Sequence, residues 1–363
     1  MVVVPDIVRS IPHWKILEMR QQTQFLWSTY FSSVDKIVMT TLEIIKERID
    51  TQAATRSKWV WNVAPGALAT LPDFSESLKD YPFFRRRLRL HSTKNFTAVI
   101  YVSSEQSSVS PLIRLIKRLS KSTHLTKILL LWNKSTAPFR LRRNFANVKA
   151  NIILKVINHV NERFYPHEEI DTDAVLSLDE DALLITDEID FAFSVWQEFP
   201  DRIVGYPARS HYWHEAREQW MYSSAQKHHF SMVLTYASFY HKYYNYLYTH
   251  SLHTPLFNIV STAPHCTHIL MNFLVSHVTK RPPIKVLQRK ISTANERMQP
   301  SESWMMERSA DFVDSQSCML NITKIFGYMP LKNSQVRIDP LLYKDHVSKH
   351  RKKYKTVENI TWN

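Results

Sequence analysis

From residue 96 onward the apolar residues fall into short unbroken runs separated by stretches of helical spacing. Thr97-Ala98-Val99-Ile100-Tyr101-Val102 is the first run. Lys127-Ile128-Leu129-Leu130-Leu131-Trp132, Ile152-Ile153-Leu154 and Ala174-Val175-Leu176-Ser177-Leu178 follow. A strand buried on both faces reads as such a run, because neither side alternates with solvent. Between the first two, Ser110-Pro111 opens a helix with Leu112, Leu115, Ile116 and Leu119 on one face, proline being at home in a first turn. Ile189 to Trp196 and Leu270 to Val278 predict further helices, and Ile203-Val204 and Ser231 to Leu234 predict short strands. Strands alternating with helices predict an α/β fold, with a mostly parallel central sheet covered on both faces.

Upstream the pattern differs. Ile16, Leu17, Phe25, Leu26, Phe31, Val34, Ile37, Val38, Leu42, Ile45 and Ile49 recur at helical spacing over residues 14–50, which predicts helix with a break near Ser32-Ser33. Residues 51–95 read as irregular, with Pro65, Gly66, Pro72, Pro82 and the basic run Arg85-Arg86-Arg87. Residues 281–303 are polar and predict loop. No internal repeat is present.

The fourth apolar run ends in Asp179-Glu180-Asp181. In an open α/β sheet, ligands bind outside the carboxyl ends of the strands. Acidic oxygens there suit a hard divalent cation, which in turn can hold a diphosphate. An acidic turn in solvent has the same composition, so the triplet alone does not decide between the two. The chain has 3 glycines in 363 residues, too dispersed for a glycine-rich phosphate loop. Phosphate bound here is therefore expected to rest on a cation and side chains.

Net charge is +14, which favours an anionic partner. No nucleic-acid motif accompanies the scattered basic residues, so a nucleic acid is not expected, and a polyanionic sugar chain explains the charge equally well. Cys266 and Cys318 are too few for a closed four-cysteine zinc site. They suit either one disulfide in an oxidising compartment or two small buried hydrophobes. His265 and His268 stand three apart, without a third ligand near in sequence to make a zinc site. Asn95, Asn133, Asn321 and Asn359 each open a glycosylation triplet, weak support for a secretory location. No run approaches the roughly 18 apolar residues of a membrane span, and the charged first thirty residues do not resemble a signal peptide.

Several long blocks resemble the exostosin family. They are Thr172 to Asp181, Phe191 to Gln197, Arg202 to His211, Tyr240 to Tyr244, Leu270 to Val275, Pro282 to Val286 and Gly327 to Leu331. Gln21 to Trp27 and Tyr30 to Val34 belong to the same likeness. Exostosins are two-domain, membrane-anchored proteins of the endoplasmic reticulum and Golgi that polymerise heparan sulfate. The resemblance implies a family 64 glycosyltransferase domain of GT-A fold over residues 93–345. Residues 1–92 are implied to be the helical end of a preceding family 47 domain with its connection, and residues 346–363 a basic tail. Most of that first domain and the anchor are expected to lie outside this chain, as in a fragment, a truncated gene model or a shortened homologue.

The implied reaction moves N-acetylglucosamine from UDP-N-acetylglucosamine to a terminal glucuronic acid of a heparan sulfate or heparosan chain, with retention and with Mn2+. It also implies pairing with an exostosin-2-like subunit. Asp181 is then the metal ligand, with Asp179 beside the ribose or in the metal's surroundings and Glu180 near the donor sugar. Asn133, Asn158 and Arg163 take nucleotide-pocket positions, and Arg308 lies near the diphosphate. Cys266 and Cys318 are implied to form a disulfide, worth roughly 4 kcal/mol for a loop of this length.

Four departures accompany the likeness. Thr267-His268 replace two acids, and His268 stands where the second is expected near the reacting carbon. A histidine cannot supply that negative charge. Tyr236 replaces a glycine, and an added phenol can fill a donor pocket. His228-His229 replace an acidic or amide pair, and Ser103 to Gln106 contain no arginine to pack on uracil. The departures imply the alternative of a catalytically silent scaffold domain.

Overall fold

A computed structural model describes residues 9, 11, 16, 19–20, 23–24, 26–49, 78, 93–103, 110–133, 148, 150–224, 229–263, 266–288 and 309–340. Upstream, one π-helical turn, Trp27–Phe31, meets α1, Val34–Ile49, through bends at Ser32 and Ser33. The break falls where the sequence predicts it. Ser33 Oγ accepts the amide of Lys36 at 3.3 Å, as an N-cap serine does at the third helical position.

The sheet begins with β1, Phe96–Val102, and the amphipathic helix α2, Ser110–Leu119. β2, Leu125–Trp132, and β3, Asn151–Val156, extend it to one edge. β4, Ala174–Asp179, crosses to the other side of β1 and leads into α3, Thr186–Glu198. Next come β5, Val204–Gly205, and a hairpin of β6, Ala208–His214, and β7, Gln219–Ser223. β8, Met232–Val233, pairs with β6, and β9, Ala237–His241, returns to the main sheet. Three helices follow: α4, Tyr243–His250; α5, Thr254–Thr262; and α6, Cys266–Thr279. β10, Ile284–Val286, then α7, Ser309–Phe326, and β11, Arg337–Ile338, close the described chain.

The main sheet has 8 strands in the order β11-β10-β5-β9-β4-β1-β2-β3. All neighbours are parallel except where β9 meets β4 and β5. This is the expected α/β architecture with a mostly parallel sheet. Successive residues of a strand face opposite sides, and two cores follow from that alternation. Ala98, Ile100, Leu176 and Leu178 face α2 and α3. Val99, Leu129, Leu131, Val175 and Tyr240 face α4, α5, α6 and α7. Each of the four leucines and isoleucines that α2 buries contributes about 1.5–3 kcal/mol.

Several boundaries differ from the expectation. The strand read over Ser231 to Leu234 is only Met232–Val233, because Ser231 and Leu234 give their amides to Arg209 and Pro207 carbonyls outside a continuous ladder. The segment read as loop from residue 281 contains β10, a central strand too short to register as a run. Residues 289–308 lie outside the described residues.

Candidate functional site

β1 lies between β2 and β4, so the chain's first connections leave β1 on one side and the fourth strand returns on the other. Strand order reverses there, and in open sheets of this kind the crevice that receives a ligand lies beyond the carboxyl ends of the strands at such a point, here β1 and β4. Tyr101 and Asp179 are register partners at that rim. The acidic triplet therefore sits where an open sheet of this kind receives its ligand.

Arg163 organises the crevice. It stands on the 3-10 turn Val160–Phe164, and the carboxylate of Glu162 holds this turn by accepting the amides of Asn158 and His159, both at 2.9 Å. Its side chain is 1% exposed, and its Nη1 pairs with Asp179 Oδ1 at 2.8 Å. Nη2 donates to Ser177 Oγ at 2.9 Å and to the Thr235 carbonyl at 3.3 Å. The guanidinium also lies 5.4 Å from the centre of the Tyr101 ring. A buried guanidinium is tolerable only with such pairing, and removing one partner strands the other. The Tyr101 hydroxyl accepts a bond from Asn133 Nδ2 at 2.9 Å. Burial pushes the Tyr101 pKa upward, against the lowering effects of Asn133 and Arg163, and the phenol stays protonated.

The three acids take different roles. Glu180 is buried, and its Oε1 accepts the amide of Ser103 at 3.0 Å, tying the end of β1 to the end of β4. Asp179 gives its carboxylate to Arg163 and its amide to the Tyr236 carbonyl at 3.1 Å. Asp181 stands exposed on the corner. Among the described residues no group of three acids, histidines or cysteines could enclose a metal ion. A hard cation that takes one or two carboxylates and completes its shell with phosphate and water could be held by Asp181, with Asp179 behind it.

A second wall is made by the start of α6. His268 Nδ1 and Thr235 Oγ1 share a hydrogen bond of 2.6 Å, and the Tyr236 ring meets the His268 ring edge-on at 5.4 Å. Asn272, one helical turn on, imitates a strand neighbour. Its Oδ1 accepts the Val233 amide at 3.0 Å, and its Nδ2 donates to the carbonyls of Val233 and His268, both at 2.8 Å. Cys266 and Cys318 are joined in a disulfide that fastens the first residue of α6 to α7. Thr267 points into the core, fully buried.

Asn133, Arg163, Asp179, Glu180 and His268 thus lie on one connected set of contacts running from Tyr101 to Tyr236. Asn158 is exposed before the 3-10 turn, and its amide is spent on Glu162. Arg308, His228 and His265 lie outside the described residues. Sequence reasoning missed Tyr101, Ser177 and Thr235. Only the position of Tyr101 and Ser177 at the end of apolar runs marks them, and for Thr235 no sequence signal exists.

A family model described as the glycosyl transferase family 64 domain matches residues 96–343. The chain is 48% identical to exostosin-1 of Bos taurus over 359 residues, covering 98% of this chain and 48% of that protein. It is 45% identical to exostosin-1 of Drosophila melanogaster over 380 residues, with 98% and 49% covered. The chain spans about half the length of these curated relatives. Among solved structures, GalNAc-T7 with UDP, GalNAc and Mn2+ is similar over 50% of this chain and 40% of that one, at 8% identity and a TM-score of 0.35.

Proposed function

The chain belongs to glycosyltransferase family 64, and from that premise we propose that its crevice is the UDP-N-acetylglucosamine site of a heparan sulfate glycosyltransferase of GT-A type. The observation that carries the reading is the convergence of Tyr101, Asn133, Arg163 and the acidic triplet on the rim between β1 and β4. Asn133 and Tyr101 offer polar atoms and a ring face to the base, and Arg163 holds the Asp179 carboxylate at the ribose side. Glu180 keeps the two strand ends together. A divalent cation, with manganese as the candidate, would rest on Asp181 and Asp179 and neutralise charge on the departing diphosphate. The acceptor is a glucuronate-ended heparosan chain, and transfer retains the anomeric configuration. The lumen of the endoplasmic reticulum and Golgi is the proposed location, supported by the Cys266–Cys318 disulfide, which an oxidising compartment sustains.

One observation favours a second reading. His268 is committed to Thr235 and packed by Tyr236, so the wall nearest the transferred sugar presents an imidazole and a phenol, not a carboxylate. A domain built so would bind nucleotide and act as the scaffold of an exostosin-2-like partner. Transfer of radiolabelled N-acetylglucosamine to a glucuronate-ended oligosaccharide separates the two. Transfer that Asp181→Ala abolishes supports the enzyme. Nucleotide binding without transfer, restored by His268→Asp with Tyr236→Gly, supports the scaffold.

A further inference from the structure

Basic residues occur along the whole chain, but between Glu105 and Glu162 nothing balances them. Residues 106–161 contain eleven lysines and arginines and no acid. On β2 and β3, Lys127 and Lys155 find Asp171 and Glu169 from beyond that stretch. The cations of α2 find no carboxylate among the described residues. The inner face of this helix, Leu112, Leu115, Ile116 and Leu119, is buried against the sheet. Arg114, Lys117, Arg118 and Lys121 recur at helical spacing on the opposite face, with Lys121 in the turn that continues the helix. Arg114, Lys117 and Lys121 are exposed. Arg118 is half-buried and donates Nη1 to the Leu184 carbonyl at 3.3 Å. On the neighbouring α3, Asp190 takes the Ser122 hydroxyl, and Glu188 takes the amide of Ile185.

Like charges three and four residues apart repel one another. The carbonyl end of α2 favours Lys117 and Arg118 in its last turn, but Arg114, in the middle, has no such compensation. An external anion supplies it. β1 and β2 are parallel, with Phe96 beside Leu125, so α2 runs back between them and starts on the side of their carboxyl ends. The cationic stripe therefore begins toward the crevice rim with Arg114 and leads away from it. Arg114 and Lys121 are about 10.5 Å apart along the helix axis. No exposed apolar residue stands among these cations, because α2 turns its large side chains inward. The face thus lacks what an interfacial helix inserts into lipid, and its charge fits an extended, polar polyanion.

We propose that the outer face of α2, through Arg114, Lys117 and Lys121, holds glucuronate carboxylates of the acceptor chain outside the crevice. The proposal rests on the acceptor assigned above and locates its chain on the protein.

The test is titration of the chain with an unsulfated octasaccharide of alternating glucuronate and N-acetylglucosamine at fixed salt, beside a separate titration with UDP. The triple variant Arg114→Gln, Lys117→Gln, Lys121→Gln should weaken the oligosaccharide roughly tenfold, each exposed ion pair being worth about twofold. UDP affinity should be unchanged, and the difference should shrink as salt is raised. Exchanging the cations (Arg114→Lys, Lys117→Arg, Lys121→Arg) should retain binding. Glutamine keeps the helix propensity and removes the repulsion, so the triple variant should melt no lower than the wild type. The double variant Arg217→Gln, Lys324→Gln removes exposed cations from other elements and should bind as the wild type does. Equal binding by wild type and triple variant, an equal loss in the double variant, or no binding by the wild type overturns the proposal. Binding to phosphatidylserine vesicles that the triple variant loses, without oligosaccharide binding, gives this face to a membrane and overturns it too. Oligosaccharide binding that depends on α2 without any UDP binding leaves the proposal standing and removes the nucleotide-site reading instead.

Discussion

Replacing Arg163 with methionine should damage both stability and nucleotide binding. The guanidinium joins Asp179, Ser177 and Thr235, which belong to β4 and the segment entering β9. Breaking a buried ion pair by removing one partner costs about 3–5 kcal/mol. The Asp179 side chain is 31% exposed, so water recovers part of its solvation. That places the loss at the low end, about 3 kcal/mol. For a domain of this size each kcal/mol lowers the melting temperature by about 2–4 °C, giving a fall of roughly 6–12 °C. The double variant Arg163→Met with Asp179→Asn removes the stranded charge and should recover about 1 kcal/mol or more relative to additivity. Scanning calorimetry on the four proteins measures both quantities. A fall under about 2 °C for Arg163→Met, or strict additivity of the pair, would refute the claim that this ion pair organises the crevice.

Other outcomes follow from the same contacts. Asn272→Ala should cost about 3 kcal/mol, read from the urea midpoint, because it strands the buried amide and carbonyl of Val233. Stability should fall on acidification. Burial first, then Lys280, lowers the His277 pKa to about 3, and burial, then Lys332, lowers that of His211 to about 4. Below the ordinary value near 6.5 the unfolded chain binds protons that the folded one refuses. The contribution is thus fully present above that pH and is lost progressively as pH falls toward 4 and 3. Melting temperature against pH checks this, and His277→Gln should flatten the slope; a wild-type curve level from pH 7 to about 4.5 would contradict it.

The central strands were legible because burial on both faces leaves a continuous apolar run, as in Ile128 to Trp132. α2 was legible from Pro111 and its leucine face. β6 and β7 were not, because Arg209, Ser210, His211, Tyr212, Trp213 and His214 mix polar and aromatic residues. Their turn uses Glu218 at φ 47, where a glycine or asparagine would have marked it. β11 has two residues, too short for any periodicity, whereas the equally short β5 and β8 were marked by the apolar residues Ile203-Val204 and Met232-Val233-Leu234. At the site, the acidic triplet was visible as the end of a run. The resemblance gave Arg163 and Asp179 nucleotide-pocket positions but not their ion pair, since the two residues meet by a turn whose geometry Glu162 sets. The bond between His268 and Thr235 is a tertiary contact across 33 positions, and local pattern carries no trace of it.

Isothermal titration of the chain with UDP in the presence of manganese tests the crevice between β1 and β4 most directly. Saturable binding that Asp181→Ala weakens by at least about tenfold, with the fold intact, is the predicted result. Absence of binding by the wild type, or equal affinity in the Asp181→Ala protein with and without the metal, would contradict the account.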